Sequence, residues 1–184
     1  MGALMDLIAG DSREIILAVA VDDWAAFDDR SRFPAHLALG GGLDPTWLDL
    51  FSEAARRVTG RDEPADFLDA RRELDGPGDV GGRSVEPVDP AWVGAVARVA
   101  DDQVGALAGR WIDLVEEELG DLPSDEKPWI RSLAGDLVRF ARDAADSPAV
   151  IFGWSLSGLP DQPSRTAVPD AVTMSMEPPW PTVS

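Results

Sequence analysis

Apolar side chains recur at three- and four-residue steps in three stretches of the chain, and this spacing predicts three amphipathic helices. The first begins at Pro45 and ends at Gly60, the second spans 101–120, and the third lies within 124–147. The positions predicted to face the core are Trp47, Leu50, Phe51, Ala54, Ala55 and Val58 in the first helix, Leu107, Trp111, Leu114, Val115 and Leu119 in the second, and Trp129, Ile130, Leu133, Leu137, Phe140, Ala141 and Ala144 in the third.

Asp-Pro pairs mark the start of two predicted helices. Asp44-Pro45 precedes the first amphipathic helix, and Asp89-Pro90 precedes a further helix. The carboxylate can cap a helix, and proline lacks an N–H that the first turn would leave unbonded anyway. A shorter helix is predicted to begin at Pro64 and to carry Phe67, Leu68 and Leu74.

Shorter apolar runs predict strands. Ile15–Val21 is continuous and rich in β-branched residues, so it fits either a buried strand or the middle of a buried helix, with both faces covered. The following 22–29 segment favours a helix. Ala35–Leu39 is a strand candidate, and Ala149–Trp154 is predicted to be the closing strand. The stretch 75–88 holds four glycines and two prolines, which predicts a long loop.

The order of these elements predicts an α+β fold: a predominantly helical single domain with a few short strands over residues 1–156. From residue 155 onward there are six prolines and no long apolar run. Such a composition cannot bury a core of its own. Residues 157–184 are therefore predicted to form a disordered, Pro-rich tail.

The charge of the chain narrows the range of partners. Sixteen basic and 34 acidic residues give a formal net charge of −18. Such a surface repels nucleic-acid phosphates and anionic lipid, so neither nucleic acid nor membrane is an expected partner. The chain has no cysteine, and its longest apolar run is seven residues, against about 20 for a spanning helix. A cytoplasmic location is expected, with a basic protein as the partner if there is one, and the oligomeric state stays open.

His36 is the one histidine of the chain, so any imidazole base must be this residue. Imidazole is the side-chain group best suited to proton transfer at neutral pH. It lies in an apolar segment before the three glycines 40–42. A hydrogen-bonded structural histidine is the alternative interpretation of such a position.

The second helix carries the strongest regional charge. Residues 101–126 hold nine acidic side chains against Arg110 alone. Asp113, Glu116, Glu117 and Glu118 are predicted to face outward, where a basic partner could bind them. Carboxylates also bind hard cations, but neither an EF-hand loop nor a Glu-x-x-His pair is present. A solvated acidic face is thus preferred to a metal site, and neither metal nor cofactor is predicted.

Three pieces of the chain resemble the YfbM-like family of small uncharacterised bacterial proteins. Asp44-Pro45-Thr46-Trp47 leads a helix ending in Val58-Thr59-Gly60, like a helix of that family. The segment 85–96 is similar to the family's loop-to-helix entry, and 137–144 followed by 149–151 is similar to its final helix and strand. The middle of the chain departs from the family, because it lacks a Tyr-Gly-Pro element and contains Trp111-Ile112-Asp113-Leu114. The resemblance implies an α+β fold and carries no activity or site residue.

These features favour an acidic protein-interaction or regulatory module over an enzyme. The alternative is an enzyme of unknown substrate that uses carboxylates with a divalent metal, or His36 as a base. A structure can separate the two, because catalysis requires the imidazole and carboxylates to meet in a cleft.

Overall fold

The computed structural model describes residues 3–40, 43, 45–61, 66–68, 78–80 and 83–156. The tail predicted at 157–184 and the helix cap predicted at Asp44 lie outside the described residues. Within the described ranges, no helix has the length and apolar character needed to cross a membrane.

One antiparallel sheet forms the centre of the molecule. Its strands are β1 (Ala3–Gly10), β2 (Ala35–Gly40), β3 (Gly78–Val80), β4 (Arg83–Pro87) and β5 (Ala149–Leu156). They lie side by side in the order β2-β1-β5-β4-β3. The inner strand β1 is covered on both faces, and the side chains of Leu7, Ile8 and Ala9 are fully buried.

Five α-helices surround this sheet in the described part of the chain. They are α1 (Ser12–Ala20), α2 (Pro45–Thr59), α3 (Pro90–Ala97), α4 (Val104–Leu119) and α5 (Lys127–Ala144). Short 3-10 helices occupy Trp24–Asp28 and Asp101–Gln103. The fold is therefore α+β with helices predominating, as the sequence predicts.

Local sequence explains where several helices begin and end. The Asp89 side chain accepts a hydrogen bond from the amide of Ala91, and Pro90 occupies the first position of α3. Asp11 caps α1 in the same way, through the amides of Arg13 and Glu14. Gly60 follows the end of α2 with a φ of 64°, a left-handed conformation that glycine adopts without strain.

The two faces of the sheet bury separate hydrophobic clusters. Helices α2 to α5 pack on one face, around Trp92, Trp111 and Phe152. Helix α1 and the first 3-10 helix pack on the other face, where Phe27 and Phe33 lie against Ile8 of β1. Phe51 and Trp111, which the sequence predicts to face the core, are both fully buried.

The structure decides one open element assignment and overturns two others. Ile15–Val21, for which the pattern allows either a strand or a helix, is helical from Ile15 to Ala20, because Asp11 caps a helix there. The loop predicted at 75–88 contains the hairpin β3–β4. Phe67 and Leu68 were predicted to be helical, but Leu68 forms an isolated β-bridge with Val88.

Two residues predicted to face the core lie at the surface instead. Leu119 is 51% exposed and Trp129 is 39% exposed. Leu119 is the last residue of α4 and Trp129 lies in the first turn of α5. A helix end projects beyond its neighbours, so a correct apolar period does not ensure burial there.

Candidate functional site

The candidate site lies at the outer edge of β2, one of the two edge strands of the described sheet. In the described sheet β2 pairs with β1 alone. An edge strand directs every second N–H and C=O group away from its neighbour, where another chain can bind them. A cleft of about 500 Å³ runs along this edge. It is lined by Arg30, Pro34, Ala35, His36, Leu37, Asp136, Arg139, Phe140 and Asp143.

One side of the cleft is formed by charged side chains that lie in a row along α5. Asp136, Arg139 and Asp143 are spaced at three and four residues, so they lie on one side of the helix. Arg139 Nη1 lies 3.3 Å from Asp136 Oδ1. The i,i+4 spacing of Arg139 and Asp143 predicts an ion pair between them, but the arginine pairs with the earlier aspartate. Asp143 is exposed, so its carboxylate faces the solvent of the cleft.

His36 makes its principal polar contact with Asp6 of β1. The imidazole Nε2 lies 2.9 Å from Asp6 Oδ1. In the β1–β2 register His36 is opposite Ile8 and Asp6 is opposite Ala38, so the two side chains are diagonal neighbours on one face of the sheet. They are only 20% and 14% exposed. The partly buried carboxylate therefore has a partner within hydrogen-bonding distance.

The groups around the His36 imidazole are placed so that they can hold the ring in one orientation. The Phe27 ring centroid lies 5.3 Å from that of His36. When Nε2 of a neutral imidazole donates to a carboxylate, Nδ1 is left as a proton acceptor. A histidine held in this way can act as a base toward a molecule in the cleft. Both interpretations of His36, as a structural residue and as a base, agree with this geometry.

The described residues give no support to a metal site. Among them, no three His, Asp or Glu side chains converge as ligands for one ion. Asp136 and Asp143 line the cleft with His36, but Arg30 and Arg139 line it too. Two guanidinium groups beside two carboxylates offset the negative charge that a divalent cation needs.

Basic side chains of the same chain already contact part of the acidic face of α4. Glu116 Oε1 lies 2.5 Å from Lys127 Nζ and accepts a hydrogen bond from the amide of Leu122 at 3.3 Å. The Lys127 ammonium, through its hydrogen bond, holds the pKa of the Glu116 carboxyl below its usual range. These contacts tie the end of α4 to the start of α5.

Arg110 restrains two more of the predicted partner-binding carboxylates. Its Nη1 lies 3.4 Å from Glu117 Oε1 and 3.8 Å from Asp113 Oδ2. Glu118 is exposed. None of the four α4 carboxylates lines the β2 cleft. The structure thus places the two sets of predicted site residues, His36 and the α4 face, on separate surfaces.

Asp6, Asp136 and Arg30 belong to the site but were not predicted from the sequence. Asp6 is separated from His36 by 30 residues, and only the strand register brings them together. The row on α5 is detectable in principle, since charges three and four residues apart share a helix face. That this face borders an open strand depends on the sheet order, which local patterns do not determine.

The chain is without a match in three comparisons with known proteins: no family model, no curated protein and no solved structure is similar to it. The resemblance to the YfbM-like family stays a prediction. The site must be interpreted from its own geometry.

Proposed function

We propose that this protein is an acidic protein-interaction module that binds an extended segment of a basic partner along the outer edge of β2. The observation that carries the proposal is the open edge of β2 beside the cleft lined by α5. Main-chain groups of an edge strand can pair with a peptide in any sequence context, and neighbouring side chains select among sequences.

The charge of the molecule favours a basic partner. At −18 the chain attracts cations over a distance of about one Debye length, roughly 8 Å at physiological salt. Long-range attraction raises association rates more than affinity. In the cleft, Asp136 and Asp143 can then contact lysine or arginine side chains of the bound segment. The proposal assigns the module to the cytoplasm and involves neither nucleic acid nor membrane.

The β2 edge is a better candidate surface than the α4 face. On α4, Glu116 already contacts Lys127, and Arg110 stands between Asp113 and Glu117. A partner binding there must compete with these cations or meet their repulsion. At the β2 edge no described strand pairs with the outward-facing main-chain groups, and Asp143 is exposed.

The proposal can be tested with a defined peptide rather than an unknown partner. The probe is a labelled peptide of alternating valine and lysine, titrated into ¹⁵N-labelled full-length protein. We expect amide shifts at 35–40 and along 136–143. A peptide with alternate backbone nitrogens methylated cannot donate to a strand edge and should cause no such shifts.

Two matched double variants distinguish the surfaces. Asp136→Asn with Asp143→Asn removes two charges from the cleft, and Asp113→Asn with Glu118→Gln removes two charges from α4. We expect the first to weaken peptide binding roughly fivefold, in line with exposed charge pairs, and the second to change it little. Shifts confined to α4, or equal binding of the methylated peptide, would exclude the β2 edge.

The His36–Asp6 pair supports a second candidate function, a histidine-dependent enzyme. The supporting observation is the 2.9 Å contact between Nε2 and Oδ1 beside the cleft. A carboxylate that orients an imidazole stabilises the imidazolium formed when the ring accepts a proton. The metal-dependent version of this alternative is not proposed, because the described residues bring no three ligands together.

This candidate predicts a catalytic signature that a binding module lacks. The wild type should hydrolyse one of a panel of chromogenic esters, phosphates or glycosides. His36→Gln should then lower the rate by roughly a hundredfold or more, whereas the cleft double variant should mainly raise KM. A panel with no turnover above buffer leaves the interaction module as the one supported function.

A further inference from the structure

The outer face of α1 is apolar and exposed to solvent. Ile16, Leu17 and Val21 are 38%, 63% and 64% exposed, and the exposed Ala20 lies beside them. They account for three of the five exposed large hydrophobic side chains in the described part of the chain. The opposite face of the helix is the buried one, formed by Ile15, Ala18 and Val19.

This exposure is concentrated in one patch. At about 100° per residue, Ile16, Ala20, Leu17 and Val21 fall within an arc of about 140° on the helix. Single exposed apolar residues are ordinary, but a contiguous patch marks an interaction surface. A helix that is apolar on both faces is normally buried on both. The outer face of α1 therefore needs a cover that the described residues do not supply.

The charges at the two ends of α1 indicate which molecule buries its outer face. Exposed Arg13 stands in the first turn, where the helix dipole is positive, beside Glu14, which pairs with Arg32, and no basic residue lies in the last turn. Asp22 and Asp23 follow the last turn, where the dipole is negative; both are exposed, although Asp22 accepts a hydrogen bond from Trp24 Nε1 and Asp23 one from the amide of Ala26. The positions of Arg13 and of the two aspartates are each unfavourable for an isolated helix. They become favourable when a second α1 lies antiparallel, because each arginine then meets the acidic end of the other helix.

We infer that the outer face of α1 binds a second copy of this chain in an antiparallel, two-fold symmetric pair. A two-fold axis near Leu17 places Arg13 of one copy beside Asp22 and Asp23 of its partner. Rise along α1 separates Arg13 from Ala20, the last helical residue before the two aspartates, by about 10 Å, so both ends of the contact are engaged at once.

The size of the patch sets the expected strength of the dimer. One face of a nine-residue helix buries less area than the standard interface of about 1,600 Å². The copies also repel each other, since each carries a charge of −18. The dimer is therefore a weak one that dissociates in the micromolar range. It is independent of the proposed function, because the β2 edge does not take part.

Sedimentation equilibrium of the full chain over a micromolar dilution series tests the inference. The wild type should show a monomer–dimer equilibrium. Leu17→Glu, at a position already exposed, should raise the dissociation constant roughly tenfold or more. Leu119→Glu is the matched control, because it places the same charge at another exposed leucine, 51% exposed, and should leave the constant unchanged.

A charge exchange tests the antiparallel arrangement. Arg13→Glu should weaken the dimer, and adding Asp23→Arg should restore it, with circular dichroism confirming the fold of each variant. A wild type that is monomeric throughout the series overturns the inference. So does a dimer that Leu17→Glu leaves intact, or one that forms only after truncation at Leu156, which would mean that residues 157–184 cover α1.

Discussion

Trp92 of α3 and Leu48 of α2 are joined by a buried hydrogen bond, in which the indole Nε1 donates to the carbonyl oxygen at 3.0 Å. The neighbouring carbonyl of Trp47 accepts a hydrogen bond from Trp111 Nε1 of α4 at 2.8 Å. Two indoles thus fix the first turn of α2 from two other helices. The Trp92 ring also packs edge-on against Phe67.

Replacing this tryptophan should destabilise the helical layer. Trp92 is fully buried, so Trp92→Phe removes the hydrogen bond and leaves a gap against Phe51 and Phe67. We expect a loss of about 2 kcal/mol in the free energy of unfolding, measured by urea denaturation followed by far-ultraviolet circular dichroism. Trp129→Phe, at a 39% exposed position, should cost under about 0.5 kcal/mol. Equal losses would contradict the assigned role of Trp92.

Glu53 should make the stability of the protein sensitive to acid. Its carboxylate lies 2.6 Å from Arg56 and 2.7 Å from Arg57. The hydrogen bond from Arg56, followed by that from Arg57, lowers its pKa below the ordinary value of 4.5. Because the folded pKa is the lower one, the stabilisation is present above the unfolded pKa and is lost as pH falls through the folded pKa.

In the variant Glu53→Gln, the free energy of unfolding should therefore decrease less than in the wild type as the pH is lowered. Between about pH 7 and about pH 3, we expect the wild type to lose roughly 0.5 kcal/mol more than the variant, since the ion pairs are partly solvated. Urea unfolding at a series of pH values measures this difference. Glu118→Gln, which removes an exposed carboxylate from α4, is the control. Parallel curves for wild type and Glu53→Gln would refute the prediction.

Long periodic helices could be predicted from the sequence because their signal is local. The apolar stripes of α2, α4 and α5 are confirmed except at Leu119 and Trp129, which are exposed, and the Asp89-Pro90 start of α3 is confirmed. β1 was not predicted, because Asp6 interrupts its apolar run. That carboxylate is tolerated in the sheet because His36 of β2 lies 2.9 Å away, a partner that only the fold supplies.

The site was predictable only in part for the same reason. His36 could be singled out because it is the one histidine. The cleft beside it depends on β2 being an edge strand and on α5 packing along it, and both are consequences of tertiary structure. The apolar run Ile15–Val21 was predicted to be covered on both faces, but Ile16, Leu17 and Val21 are exposed in the structure. The described chain covers only the side formed by Ile15, Ala18 and Val19.

Arg142 should stabilise the contact between α5 and the turn that precedes α4. Its guanidinium donates to Asp101 Oδ1 at 2.6 Å and also to the carbonyl of Val99. Arg142→Met should lower the free energy of unfolding by about 1 kcal/mol, because both bonds are lost. Asp101→Asn should cost less than half of that, since Asp101 is 88% exposed and the bond to Val99 remains. If the two variants lose the same amount, the carbonyl contact contributes nothing.

Two glycine-to-alanine substitutions should change stability in opposite directions. A Cβ at Gly10 would lie 3.0 Å from the carbonyl oxygen of Arg32 and 3.0 Å from a ring carbon of Phe33. Phe33 is fully buried and the carbonyl is backbone, so neither can move without disturbing the end of β1. Gly10→Ala should therefore cost roughly 1–3 kcal/mol.

Gly109 lies inside α4 and has no atom within 4 Å of a built Cβ. Gly109→Ala should raise the free energy of unfolding by about 0.5–1 kcal/mol, because alanine has the higher helix propensity. Urea denaturation of both variants measures the sign of each change in the free energy of unfolding. If Gly10→Ala stabilised the protein, the chain at Arg32 would not approach β1 this closely.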